Sequence, residues 1–242
     1  MYRVQYLFSA IFFSIFFNAQ KIEISPKFIA EYEFEFQADS TKLKSPAKEL
    51  MSLYIDDNVS LFESNIRTYI DSLENNYHGG MINMEQIPNQ KISIGIYKNS
   101  KENKYIFYDE KFRLKLKYEF SPMKWELLKE EKKIGPYECN LAKTYYGGRV
   151  WYAWYAKEIP IHDGPYKFYG LPGLIISIND KNNYFKFNLI RVYKKELSVK
   201  RRISDFVNVN KKDYYKTKRI FFEKEFGSRL KFTVNPIEVD PE

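Results

Sequence analysis

The sequence predicts an α+β fold that is mostly antiparallel β: a large curved sheet of about ten strands, a bowl or half-barrel, with one or two helices packed on its concave face or in its mouth. Three observations predict it. Aromatic residues make up 18% of the 242 residues, including 21 Tyr and 20 Phe, and such side chains suit a pleated, half-buried surface. Strict apolar–polar alternation recurs along the chain, as expected of strands with one covered face. Only two stretches keep helical spacing, and no repeat, low-complexity segment or Pro/Ser linker divides the chain.

Residues 1–19 come first. Arg3 supplies a positive start, Val4–Phe17 is apolar but for Gln5, Ser9 and Ser14, and Asn18–Ala19 offers a small residue ahead of Gln20. This is the pattern of a secretory signal peptide, too short and too poorly flanked to span a membrane. The expectation is export with cleavage near Ala19–Gln20, leaving residues 20–242 as a single β-rich domain in the periplasm or outside the cell. The one cysteine, Cys139, is far from the cleavage point, so no thiol stands there to carry a lipid anchor. No second stretch is apolar enough for a transmembrane span.

The alternation appears first at 28–38, where Phe28, Ala30, Tyr32, Phe34, Phe36 and Ala38 oppose Glu31, Glu33, Glu35 and Gln37. A strand follows at 50–56. Phe62, Ile66, Tyr69, Ile70, Leu73 and Tyr77 then fall three and four apart, behind a capping-box match from Ser60 to Glu63 and ahead of a stop at Gly79–Gly80. This predicts a helix over 60–77, the candidate to cover the apolar faces of 28–38 and 112–120. Ile92, Ile94 and Ile96 mark another strand, followed by 104–109 and by 112–120, where Phe112, Leu114, Leu116, Tyr118 and Phe120 alternate with charged residues. Further strands fall at 125–131, 137–146, 149–156, 174–179 and 184–193, with Gly147–Gly148 as a tight hairpin turn. A weaker helical pattern runs from Asn210, a candidate N-cap, to Glu225.

Two turn signals and an unbroken apolar run meet at Gly170, Leu171, Pro172, Gly173, Leu174 and Ile175. Pro172 presets φ and Gly173 permits a positive φ, which predicts a type II turn over Leu171–Leu174. Leu174–Ile178 is apolar on both parities, as in a strand buried on both faces. None of the six side chains can donate a proton, attack a carbonyl or ligate a metal, so the motif is expected to serve the fold. With its surroundings it resembles the GLPGLI family of secreted bacterial proteins. The resembling segments are Ser60–Ser64, Ile134–Cys139, Trp151–Tyr155, Ile159–Pro160 and Gly164–Phe168. The resemblance implies a signal peptide and an envelope or secreted location, and it implies no reaction. A fainter likeness points to bowl-shaped β-domains, such as the N-terminal accessory domain of a secreted peptide:N-glycanase and periplasmic lipoprotein carriers.

The formal net charge is +8, but the basic runs are short and scattered, which reads as a solvated surface and not as a nucleic-acid site. Cys139 with His162 could pair nucleophile and base, but nothing recognisable orients them. His162–Asp163 is the only close pairing of ligand types, too few for zinc, so neither metal nor cofactor is expected. Carboxylate pairs for glycoside hydrolysis leave no spacing signature; Glu158 and Asp163, flanking the aromatic block, are the first suspects. The candidate ligand-binding residues are Trp151, Tyr152, Trp154, Tyr155 and Tyr166. One face of the 149–156 strand is expected in the core; the other either presents aromatic surface or is itself covered. The leading expectation is a non-catalytic envelope protein that binds an apolar or amphipathic ligand (lipid, glycan or peptide) or docks an outer-membrane protein. The alternative is an accessory factor, domain or hydrolase of secreted glycan or peptide processing.

Overall fold

The computed structural model describes residues 21–37, 46–75, 87–111, 114–226 and 237–238. The apolar run over 1–19, the Gly79–Gly80 stop and the first two positions of the 112–120 strand lie outside the described residues. Within them the chain forms β1 (Lys21–Ile24), β2 (Phe28–Phe36), β3 (Ala47–Asp56), β4 (Val59–Ser64), α1 (Asn65–Asn75), β5 (Ile94–Asn99), β6 (Lys104–Lys111), β7 (Leu114–Glu119) and β8 (Glu126–Ile134). It continues through β9 (Tyr137–Tyr146), β10 (Arg149–Ala156), β11 (Leu174–Asp180), β12 (Phe185–Tyr193), β13 (Val199–Arg202), β14 (Val207–Asn208) and α2 (Lys211–Phe226).

Twelve strands make one sheet in the order β14-β7-β6-β5-β4-β3-β2-β12-β11-β10-β9-β8, antiparallel except where β14 runs parallel to β7. It is two hairpin meanders joined where β2 pairs with β12. One link does not follow the meanders. β7 and β8 stand ten strand positions apart, about 48 Å across a flat sheet, yet the 120–125 connection reaches at most about 25 Å. The sheet must therefore curl until its edges approach. It does not close, since β8 pairs within the sheet only with β9, and β14 only with β7.

β4 and β14 extend the sheet beyond the strands expected. At β4 the reason is packing on two sides: Leu61 and Phe62 are both fully buried, in different core clusters, which a helix with one apolar stripe could not provide. Ser60–Glu63 is thus strand, not a capping box. α1 starts after it, where Ser64 Oγ accepts a hydrogen bond from Ile66 N at 3.2 Å. α2 begins as expected, with Asn210 Oδ1 accepting from Asp213 N at 2.8 Å.

The part of the sheet from β2 to β6 is covered on both faces. On one, Tyr32, Phe34, Leu53, Phe62, Phe107 and Trp151 form a cluster with Tyr166, Phe168 and Leu171 of the β10–β11 connection and Tyr214 of α2. On the other, Ile29, Tyr54, Leu61, Ile106 and Tyr108 are covered by the two-stranded β1–β13 ribbon through Ile22, Ile24 and Val199. α1 lies on this second face: Thr68 Oγ1 meets Tyr54 Oη at 2.7 Å, and Arg201 of β13 pairs with both Asp71 and Glu63. So α1 does not cover the apolar faces of β2 and β7; the β10–β11 connection does. The polar face of β2 is not left wet either, because Glu31 is buried and accepts hydrogen bonds from Arg191 Nε (2.6 Å) and Tyr193 Oη (2.8 Å).

Candidate functional site

The connection from β10 to β11, residues 157–173, has an inner and an outer side. Tyr166, Lys167, Phe168 and Leu171 point inward and are buried. His162 and Gly170 stay exposed at the opposite end. Backbone bonds fix the shape: Gly170 N donates to His162 O (2.9 Å), Ile175 N to Asp163 O (3.1 Å) and Leu174 N to Ile159 O (3.1 Å).

That last bond overturns the type II turn. Leu174 N is taken by Ile159, so it cannot close on Leu171; instead Gly173 N donates to Leu171 O at 2.8 Å, a three-residue turn centred on Pro172. The positive φ expected at Gly173 is present, at 157, and glycine provides space there as well. A Cβ there would stand 2.2 Å from the Ala156 carbonyl oxygen. Gly170, in contrast, holds φ 91 with nothing within 4 Å of a Cβ; its positive φ, not a close approach, sets the requirement.

The outer side of the connection and the β3–β4 turn wall a groove of about 520 Å³. Asp56, Asp57 and Asn58 stand at one rim, Pro160–Asp163 and Gly170 at the other, with Ser60 and Lys98 below. Lys98 is almost fully buried and pairs with Asp163. Its Nζ also donates to the carbonyls of Gly164 (2.8 Å) and Tyr166 (3.3 Å), so one ammonium ties β5 to the connection. Burial holds Lys98 below the usual lysine range, with Asp163 acting against the shift. Ser60 is buried, and its Oγ has no hydrogen-bond partner among the described residues. An unsatisfied buried hydroxyl costs about 1–3 kcal/mol, and Ser60 is one of the residues beside the groove.

The sequence-predicted site residues divide three ways. Trp151, Tyr155 and Tyr166 are core residues, each no more than 2% exposed. Tyr152 and Trp154 are half-buried on β10's other parity, where Lys132 Nζ lies 4.4 Å from the Trp154 ring centroid. Gly170 reaches the groove, while Leu171, Leu174 and Ile175 are buried and Pro172 is exposed. Cys139 is buried on β9 beside Ala156, donates to Tyr137 O at 3.6 Å, and is pushed up to about 11, chiefly by burial. Asp163 lines the groove and Glu158 does not. Among the described residues no group of three or more His, Cys, Asp or Glu side chains could hold a metal ion.

Ser60 and Lys98 were missed as site residues. Ser60 was absorbed into a helix cap. Lys98 carried a usable signal, because it continues the inward parity of Ile94 and Ile96 with a charge.

Residues 146–177 match a family model described as "Protein of unknown function (Porph_ging)"; the match takes in β10, the groove-lining connection and the first half of β11. Two crystal forms of PNGF-II resemble the fold. One superposes with a TM-score of 0.55 at 13% identity over 78% of this chain, the other with 0.53 at 12% over 80%. In both, the similarity takes in 32% of the PNGF-II chain, so this chain spans about a third of that protein's length. No curated protein matches.

Proposed function

We propose that the chain is an exported, non-catalytic envelope protein that binds an amphipathic ligand in the groove between the β3–β4 turn and the β10–β11 connection. The observation that carries this reading is the groove of about 520 Å³ with its mixed lining, a volume in the usual range of small-ligand sites. The lining mixes the two chemistries such a ligand needs: Phe28, Ile55 and Ile161 beside Asp57, Lys98 and His162. A wholly apolar ligand fits less well, because the large aromatic cluster inside the curl is occupied by the chain's own Tyr166 and Phe168. Export rests on the residues 1–19 pattern, with cleavage near Ala19–Gln20 and no lipid added. The GLPGLI family is the finer placement that Gly170–Ile175 and its surroundings support.

The test is titration with n-octyl β-D-glucoside below its micellar concentration, followed by backbone amide shifts in nuclear magnetic resonance. Saturable shifts at Ser60, Lys98 and His162 that vanish in Ser60→Leu support the groove. Shifts elsewhere, or none, refute it. A second reading, an accessory factor or domain of secreted glycan or peptide processing, is favoured by the fold likeness to one part of the longer PNGF-II chain. It predicts no turnover by this chain alone and a rise in turnover by an exported hydrolase when the two are combined.

A further inference from the structure

Lys167 sits at the bottom of the core with its side chain fully buried, between the apolar Tyr166 and Phe168. Five rings surround its Nζ, with centroids at 4.6 Å (Phe107), 4.7 Å (Tyr118), 5.1 Å (Phe120), 5.2 Å (Tyr166) and 5.8 Å (Tyr146). It donates to Tyr118 Oη at 2.8 Å. The carboxylate that balances it comes from near the end of the chain. Lys167 Nζ and Tyr166 Oη both donate to Glu238 Oε1, and Lys211 Nζ of α2 stands 2.7 Å from Oε2. Glu238 is itself 1% exposed. Its backbone enters over the β9–β10 turn, where a Cβ at Gly147 would lie 2.6 Å from Glu238 Cγ and 3.2 Å from Glu238 Cα. A side chain at 147 would therefore fill the entry.

We infer that Lys167, Tyr166 and Lys211 form a carboxylate-binding pocket and that the Glu238 side chain is its ligand in cis. Two donors, Lys167 and Tyr166, and the Lys211 ammonium all belong to the body of the domain and converge on one anion, which Glu238 brings past the open space at Gly147. Aromatic rings favour the ammonium but cannot replace its water; a buried charge needs a counter-charge. Burial works against the Lys167 ammonium and holds it below the usual lysine range, with the Glu238 carboxylate opposing the shift. This pocket is separate from the groove and does not rest on the groove's ligand.

The experiment is chemical rescue in the full chain. Glu238→Ala should lower Tm by roughly 6–20 °C. Sodium acetate should then raise it in a saturable way, beyond sodium chloride of equal ionic strength, while leaving the parent protein unmoved. Adding Lys167→Met should abolish the acetate effect. If Glu238→Ala does not fold in chloride, recovery of folded protein in acetate counts as the rescue and its absence as refutation. An unchanged Tm in Glu238→Ala, or acetate acting equally on parent and variant, overturns the proposal.

Discussion

Replacing Gly173 by Ala tests whether the motif's last glycine is set by space. The new Cβ would meet three backbone atoms: Ala156 O at 2.2 Å, Ala156 C at 2.6 Å and Lys157 N at 2.9 Å. Ordinary contact begins near 3.4 Å, so the two strands must part by more than 1 Å, and no flexible side chain can absorb it. Ala156 is held on both sides, by Cys139 and by Leu174, so the movement strains the ladder and the Leu174 N to Ile159 O bond. Overpacking costs about 1–3 kcal/mol and a weakened buried hydrogen bond about 1 kcal/mol, together about 2–4 kcal/mol. For a chain of this size that is roughly 4–16 °C in Tm, and Gly173→Val should cost more. Gly170→Ala meets open space and is charged only for its φ of 91, about 1–2 kcal/mol. Pro172→Ala, at an exposed position, should stay within about 1 kcal/mol. Urea denaturation of the four variants decides it. If Gly173→Ala costs no more than Gly170→Ala, the close approach is not what selects glycine.

Arg201→Met should cost about 3–5 kcal/mol, because it strands the buried carboxylate of Glu63; adding Glu63→Leu should recover much of that loss, and denaturation midpoints of the single and double variants report it. Cys139, buried and pushed up to about 11, should react with a disulfide reagent only when the protein unfolds, so labelling in native buffer at the rate of a free thiol would contradict its placement. Asp109 is held below its ordinary 3.8, burial being outweighed by Lys218 with help from Ser93 and Tyr214. Its folded value lies below its unfolded one, so its contribution is complete above about 4 and is lost as pH falls through the depressed value. Asp109→Asn should therefore flatten the fall in stability between about pH 5 and 2, and an unchanged slope in acid denaturation curves would count against it.

Which parts of this fold the sequence discloses follows from what each pattern encodes. Period-two alternation locates β2, β5 and β7 because one face of each lies against the inner cluster. It could not show that the opposite face of β2 is covered, since the cover there is a salt bridge, Arg191–Glu31, and a short ribbon from the two ends of the described sheet region. β4 was hidden by a coincidence of periods: Phe62 and Ile66 are four apart, but a strand ends and a helix begins between them. The aromatic block announced the core and not the groove, because Trp151 and Tyr155 look inward. Ser60 and Lys98 belong to strands that meet the β10–β11 connection only in the folded chain, and Glu238 is 71 residues from Lys167; no local spacing records either meeting.

The curl also accounts for what fills it. The 120–125 link draws β8 towards β7, so the sheet curls around its inner face. Tyr166, Phe168 and Leu171 enter the curl from the β10–β11 connection, and α2 contributes Tyr214, whose Oη donates to Asp109 at 2.6 Å. Tyr166 accepts a left-handed φ of 54 to do so, a strain of about 1–3 kcal/mol that is held by its contact with Glu238 and by Lys98 on its carbonyl. The same Lys98 ammonium fixes the outer rim through its pair with Asp163. Core plug and groove wall are thus two sides of one rigid segment, and loosening the plug should disturb the groove before it unfolds the sheet.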